Sequence, residues 1–551
     1  MSTPEPPLPA PTPPPAPPTA PPKHQVPSLF RTFATVGSYT MLSRLTGFVR
    51  EILTATFLGA GAVSDAFFIA FQLPNLFRSL FAEGAFSAGF VPIFSQRLET
   101  DGPARAKQFA DEAFAVLAAV LLLFTVVMIL VMPAVLYLMA PGFARVPGQM
   151  ERATELARIA FPYLIFVSLT MLQSGVLNAL GHYAVAAAAP VLLNLTLIAA
   201  LLIGVGADGD RAVFLAWGVF AAGVVQFVWL WAEYRRIGMQ LKLVRPRLTP
   251  DVKLLLLRML PVAFGAGIYQ INLVVNKNIA SLVGEGAVSW INYADRVNLL
   301  PVGIFGVAIG VALLPLLARQ IQAGNEAAAL ANQNRAIEVS LMLTIPAAAG
   351  IAVLAEPITS VLFEHGAFTP QDRAAVAAAL LAFSIGLPAY VLNKALTPGF
   401  FGRHDTKTPV KASATALVIN IVIAVGLMHS WGHVGIALAT SVSAWLNATI
   451  LAVILYRRGH LQPDARLKRR LPRVILATAV MAAAVYGGLQ FILQYYWALF
   501  GAPGAASGSN LTRGVALLLL IGGGGLVFAV SSLVFGAAER GDLAHFRRKR
   551  A

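Results

Sequence analysis

Between Met41 and Arg97 the sequence has the apolar content of two membrane-spanning helices, yet it carries Arg44, Arg50, Glu51, Asp65, Arg78 and Glu83 inside them or at their ends. An Arg at the centre of a spanning helix costs about 2.5–3.5 kcal/mol on insertion scales, so such residues face protein or a watery cavity, not lipid. If the first helix enters near Phe33, a rise of about 1.5 Å per residue puts Arg44 about 17 Å in. If the second starts near Val63 on the far side, Arg78 lies about 22 Å down it. Both guanidinium groups reach mid-depth, where their rigid forks of donors suit an anionic, phosphorylated ligand. The alternative is a set of structural salt bridges: Arg44 with Glu51, Arg50 with Asp65, Arg78 with Glu83.

The whole chain belongs to the same class. Its 551 residues are 57% hydrophobic and 12% charged, with a mean hydropathy of +0.72, the composition of a polytopic membrane protein. Cysteine is absent, which excludes disulfides, Cys-based metal sites and thiol nucleophiles. The net charge of +16 is spread through short loops, as the positive-inside rule predicts for topology, and does not form a nucleic-acid-binding face. Residues 1–28 are Pro-rich and of low complexity, so a disordered cytoplasmic tail is expected there, not a signal peptide.

Runs long enough to span number about fourteen: 33–56, 63–94, 110–140, 154–180, 184–206, 211–233, 252–283, 288–318, 335–360, 373–401, 408–428, 433–456, 472–498 and 512–537. With that number, the basic clusters Arg235–Arg247, Arg457–Arg473 and Arg547–Arg550 fall on one side and the Lys/Arg-poor loops on the other, which makes both termini cytoplasmic. The chain also echoes itself. Leu177–Asn194 is matched by Phe400–Asn420 in its Gly, His, Pro, Asn order, and SDAFFIAFQLPNLF from Ser64 is matched more faintly by YADRVNLLPVGIFG from Tyr293. Two six-helix lobes follow, at 29–240 and 241–460, with a helix pair and basic tail at 461–551 and a substrate site between the lobes.

The second half adds Lys277, Asp295, Arg296 and Lys394 within its apolar runs. Arg296 reads as cavity-facing. Lys277 and Lys394 have a plainer reading, snorkelling to an interface. No GxxxxGK[ST] occurs, so no P-loop within this chain drives the work. The Asp208-Gly209-Asp210 triplet is superficially like a metal-holding carboxylate pair but reads as a polar turn. Gly306 and Gly310 read as a helix-packing GxxxG.

SRLTGFVRE from Ser43, SDAFFIAFQLPNLFRSLFAEGAFSAGFVPIF from Ser64, VSWINYADRVNLLPVGIFGVAIGVALLPLLA from Val288 and GFFGRHDTKTPVK from Gly399 resemble the bacterial MurJ (MviN) family of lipid II flippases. That family lies within the multidrug/oligosaccharidyl-lipid/polysaccharide exporter superfamily. The resemblance implies an all-α polytopic membrane protein of the inner membrane. It also implies alternating access that carries lipid II, the undecaprenyl-pyrophosphate-linked muropeptide, from the inner to the outer leaflet, with no catalytic step. Carried over by residue, it implies Ser43, Arg44, Arg50, Asp65, Arg78, Glu83, Lys277 and Arg296 as substrate-binding positions. Where relatives often have a second Arg after Arg78, this chain has Ser79.

A monomer without cofactor or metal is expected. The resemblance implies a sodium site in the second lobe of some relatives, but helices eleven and twelve here hold no Asp or Glu, so the membrane potential is the more economical drive, with an ion gradient as the alternative. The rival readings are a flippase for another polyprenyl-linked glycan, a drug/cation antiporter, which would want an acidic cavity, and a membrane glycosyltransferase.

Overall fold

The computed structural model describes residues 29–79, 86–207, 209–495 and 510–538. Glu83, the Pro-rich segment and the basic C-terminal tail lie outside the described residues. The expected spans are built of helix where described, with a turn at Phe161–Pro162 inside 154–180 and non-helical residues at some ends. The first half comprises α1 (Leu29–Leu58), α2 (Ala62–Arg78), α3 (Ser87–Thr100), α4 (Gly102–Met139), α5 (Gln149–Ala160), α6 (Tyr163–Ala179), α7 (Tyr183–Gly206) and α8 (Arg211–Arg236). The second comprises α9 (Pro250–Val283), α10 (Ala287–Pro301), a π-helical turn (Val302–Gly306), α11 (Val307–Gln322), α12 (Glu326–Phe363), α13 (Pro370–Phe401) and α14 (Lys407–Arg457). Two further helices follow, α15 (Ala465–Tyr495) and α16 (Asn510–Val534). Among the described residues, 10 helical segments are long and apolar enough to cross a membrane. The 17-residue α2 is too short to be among them.

The longest helix is two. A continuous α-helix would hold Asn420 and Thr440 about 30 Å apart, yet the Asn276 side chain of α9 bonds both, at 2.8 and 3.2 Å. The reversal falls at Gly432, whose φ of 54° and ψ of −134° break the helix, a left-handed conformation for which glycine carries no Cβ penalty. This accounts for the two expected runs 408–428 and 433–456. The expected run 63–94 is divided instead into α2 and α3.

The repeat is visible in the packing. Asn194 of α7 is buried against α1, donating to the Ser43 carbonyl at 3.0 Å and accepting from Arg50 at 3.1 Å. Asn420 of α14 is buried against α9, donating to Asn276 at 2.8 Å. One register differs from the sequence reading. The counterpart of Ser64 is Ser289, not Tyr293, since Gly61 and Gly286 stand immediately before the helices α2 and α10, in each of which the serine is the third residue. The faint match at Tyr293 was four residues out of register.

Helices α1, α7, α8 and α6 pack on one another, as do α12, α13, α14 and α9, while α15 packs on α12 and α16. At the end of the bundle marked by Gly59, the two groups are joined by an aromatic cluster. Tyr293 meets Phe68 edge-on at 5.4 Å and Phe363 and Phe368 at 5.2 and 5.7 Å, and its hydroxyl donates to the Gly59 carbonyl at 3.0 Å. At the opposite end Arg97 of α3 grips Asp251 of α9 with two hydrogen bonds, at 3.1 and 2.7 Å.

Candidate anion-binding cavity

Three helices each turn one polar face into a shared pocket. From α1 come Arg50, Glu51 and Thr54; from α2 Phe68, Gln72 and Asn75; from α10 Asn292 and Arg296. Spacings of three and four residues align the α2 set, the α10 pair and, on α1, Thr54 with both Arg50 and Glu51, which are themselves neighbours in sequence. Lys277 of α9 completes the polar wall, and Phe67, Phe71, Leu197 and Leu215 the apolar one. The cavity is small, about 30 Å³.

Among the described residues Glu51 is the one carboxylate in this lining, and it is shared. Arg50 Nη2 meets its Oε1 at 2.5 Å and Arg296 Nε at 3.3 Å. The Glu51 side chain is 4% exposed and Arg50 12%, while Arg296 is 45% exposed. Lys277 Nζ donates to Gln72 Oε1 at 2.9 Å, so it is held inside the bundle by a neutral partner and does not snorkel. Among the described residues the buried Asn292 amide nitrogen has no hydrogen-bond partner. Three cations and an unused N–H donor against one carboxylate form a site with donors to spare, the arrangement that receives an anion.

The remaining sequence candidates lie elsewhere. Arg44 is exposed on α1, about 9 Å along the helix from Arg50, and its guanidinium rests on Gly303 of the π-helical turn. Arg78 donates to Asn75 at 3.3 Å. Ser43 contributes its carbonyl to Asn194. Asp65 is outside the pocket and fully buried. Its carboxylate caps α10, accepting from Gly286 N–H at 2.7 Å, Ser289 N–H at 2.8 Å and the Ser289 hydroxyl at 2.5 Å. Glu285 in turn accepts from Ala62 N–H at the start of α2, at 3.0 Å. The salt bridges Arg44–Glu51 and Arg50–Asp65 considered above are therefore not formed: Glu51 serves Arg50 and Arg296, and Asp65 serves a helix N-terminus. Ser79 turns its hydroxyl back to the Leu76 carbonyl at 3.0 Å. Asp210 caps α8 through Ala212 and Val213, as a polar turn does.

Sequence reasoning missed Gln72, Asn75 and Asn292. Their signal was helical spacing from charged residues already singled out, Asn292 standing one turn before Arg296 and Asn75 one turn before Arg78. A cluster of amides, Asn272, Asn276 and Asn420 with Thr440, was also missed. It fills the place in the second half that Arg50 and Asn194 fill in the first.

The fold and pocket define a class: a multi-pass, all-α membrane protein of the transporter type, with a basic cavity among its helices. The chain belongs to the lipid II flippase MurJ family, whose family model matches residues 54–504. A probable lipid II flippase MurJ from Rhizobium meliloti (strain 1021) is 45% identical over 516 residues, 93% of this chain and 95% of that protein. A solved structure described as lipid II flippase MurJ in an inward closed conformation superimposes with a TM-score of 0.73 at 23% identity, over 91% of this chain and 98% of that one. An inward-facing multidrug resistance MATE family transporter of the MOP superfamily shares the fold, with a TM-score of 0.64 at 16% identity over 77% of this chain and 97% of that one.

Proposed function

We propose that this protein carries lipid II from the inner to the outer leaflet of the cytoplasmic membrane by alternating access between two lobes, 29–240 and 241–460. Arg50, Lys277 and Arg296 hold the pyrophosphate. The observation that carries the reading is the pocket lining, which among the described residues has three cations, one carboxylate, Glu51, and the Asn292 donor. A cation antiporter would need the opposite balance. A pyrophosphate entering the pocket takes over guanidinium bonds now made to Glu51, so binding exchanges one anion for another in a site already built for it.

The Gly59 end is the outer end in this reading, because the Arg- and Lys-rich loops lie at the other, which sets both termini in the cytoplasm. The mutual capping of α2 and α10 closes the outer side in this reading. Transport then requires Asp65 to release α10 and Glu285 to release α2.

The test is depletion of the protein in cells, followed by replacement with wild type or with Arg50→Gln or Arg296→Gln, with an externally added lipid II-cleaving toxin as reporter. Lipid II should accumulate protected from the toxin, and wild type alone should restore cleavage. Lipid II that stays accessible without the protein would defeat the proposal.

A further inference from the structure

The π-helical turn Val302–Gly306 is approached from two sides by cations that the pyrophosphate pocket does not use. Arg44 comes from α1, and a Cβ on Gly303 would fall on its guanidinium. Lys394 comes from α13, its Cγ 3.5 Å from where a Cβ of Gly306 would stand. Both side chains are exposed, and among the described residues neither meets a carboxylate or a hydrogen-bond partner. Beside them Ile304 is 55% exposed and Leu299 and Leu300 37% each, so the turn borders open space. A π-helical turn inside a helix frequently accompanies function. Here it brings Gly303 where a side chain would push Arg44 away, and sets Gly306 within van der Waals reach of Lys394.

We infer that Arg44 and Lys394 form a second anion-binding tier of the same cavity, which takes a carboxylate of the substrate's peptide while the first tier takes the pyrophosphate. This rests on the function proposed above. The two tiers lie about 9 Å apart along α1, from Arg50 to Arg44, and about 10 Å apart along α10 from Arg296 to Gly303. In the substrate a sugar and the start of the peptide separate the pyrophosphate from the nearest carboxylates. Two fixed anion sites at such a spacing read the length of the headgroup as well as its charge, and a lipid bearing pyrophosphate alone would fill only the first. Lys394 is thus a specificity-determining residue, and Gly303 a positioning residue that seats Arg44.

The test compares binding of lipid II and of undecaprenyl pyrophosphate, which has no sugar or peptide, to the full-length protein in nanodiscs. Lys394→Gln should weaken lipid II about tenfold, the loss of one charge-assisted hydrogen bond, and leave undecaprenyl pyrophosphate unchanged. Lys394→Arg should restore lipid II binding, which a purely structural lysine would not require. Gly303→Val, which displaces Arg44 without removing its charge, should repeat the selective loss. Arg50→Gln should weaken both lipids. If Arg50→Gln weakens both while Lys394→Gln weakens neither, or weakens both alike, the second tier is refuted and the first stands. If Arg50→Gln leaves both unchanged, the pyrophosphate reading itself fails.

Discussion

Ser64 and Ser289 are 225 positions apart in the chain and 3.0 Å apart through their hydroxyl oxygens. Phe68 and Tyr293, one turn further along the same two helices and at the same spacing, meet edge to face at 5.4 Å. Residues that correspond in the two halves touch each other, so an approximate twofold axis passes between α2 and α10. The N-termini of both helices converge on it. Two such ends would repel through their unpaired N–H groups and aligned dipoles, and Asp65 and Glu285 convert that repulsion into a bond between the halves.

The serine pair can be locked. The native chain contains no cysteine, so Ser64→Cys with Ser289→Cys introduces the only two thiols, at a separation compatible with a disulfide. Oxidation should cross-link the protein within one chain and stop transport, and reductant should restore it. Transport that continues in the oxidised protein would show that α2 and α10 need not part.

A second contact at this end is set by backbone, not side chains. Gly366, at φ +60°, lies so close to the Thr56 carbonyl that a Cβ would overlap it, and the adjacent Ala367 N–H donates to the same oxygen at 2.8 Å. Gly366→Ala should destabilise the closed end by about 1–3 kcal/mol, the range for a strained positive-φ residue. A thiol placed near Gly59 should then label faster with a membrane-impermeant reagent. Unchanged labelling would mean that the loop yields without opening the end.

Much of this was legible before the structure. Helix positions followed from apolar run length, because lipid demands that backbone groups be satisfied within each helix. Arg50 and Arg296 were legible as cavity residues because a charge in an apolar run has few places to go. What could not be read was which charge met which. Glu51 follows Arg50 in sequence, but its second partner, Arg296, comes from the other half, and only tertiary packing brings α10 beside α1. Asp65 read as a cavity acid because sequence does not reveal that a helix N-terminus from 221 residues away would need it.

At the basic end, Asp405 accepts from Thr408 N–H at 2.9 Å and its hydroxyl at 2.6 Å, and Arg458 from the far end of α14 donates to it at 2.7 Å. The Thr408 bonds first, and then Arg458, hold its carboxyl well below the ordinary carboxylate value. A depressed folded value adds stability above the unfolded value that is lost as pH falls through the folded one. Asp405→Ala should therefore cost about 1 kcal/mol near neutral pH, and its deficit should shrink as pH drops below about 4. Thermal unfolding of both proteins across that range checks this, and a deficit independent of pH would assign the effect to packing.

Glu51 offers the sharpest test of how the cavity is balanced, because it is 4% exposed and shared by Arg50 and Arg296. Removing one member of a buried ion pair leaves the other charge uncompensated and commonly costs about 3–5 kcal/mol. Arg296 is 45% exposed, so solvent absorbs part of that, and Glu51→Gln should fall at the lower end. The same substitution withdraws the internal competitor for the guanidinium groups. Inorganic pyrophosphate should therefore raise the melting temperature of Glu51→Gln more than that of wild type, since a ligand stabilises by an amount that grows with its affinity. Arg50→Gln should show the reverse, little rescue at any concentration. If pyrophosphate stabilises wild type and Glu51→Gln equally, Glu51 does not occupy the anion's place, and its role is confined to holding α1 against α10.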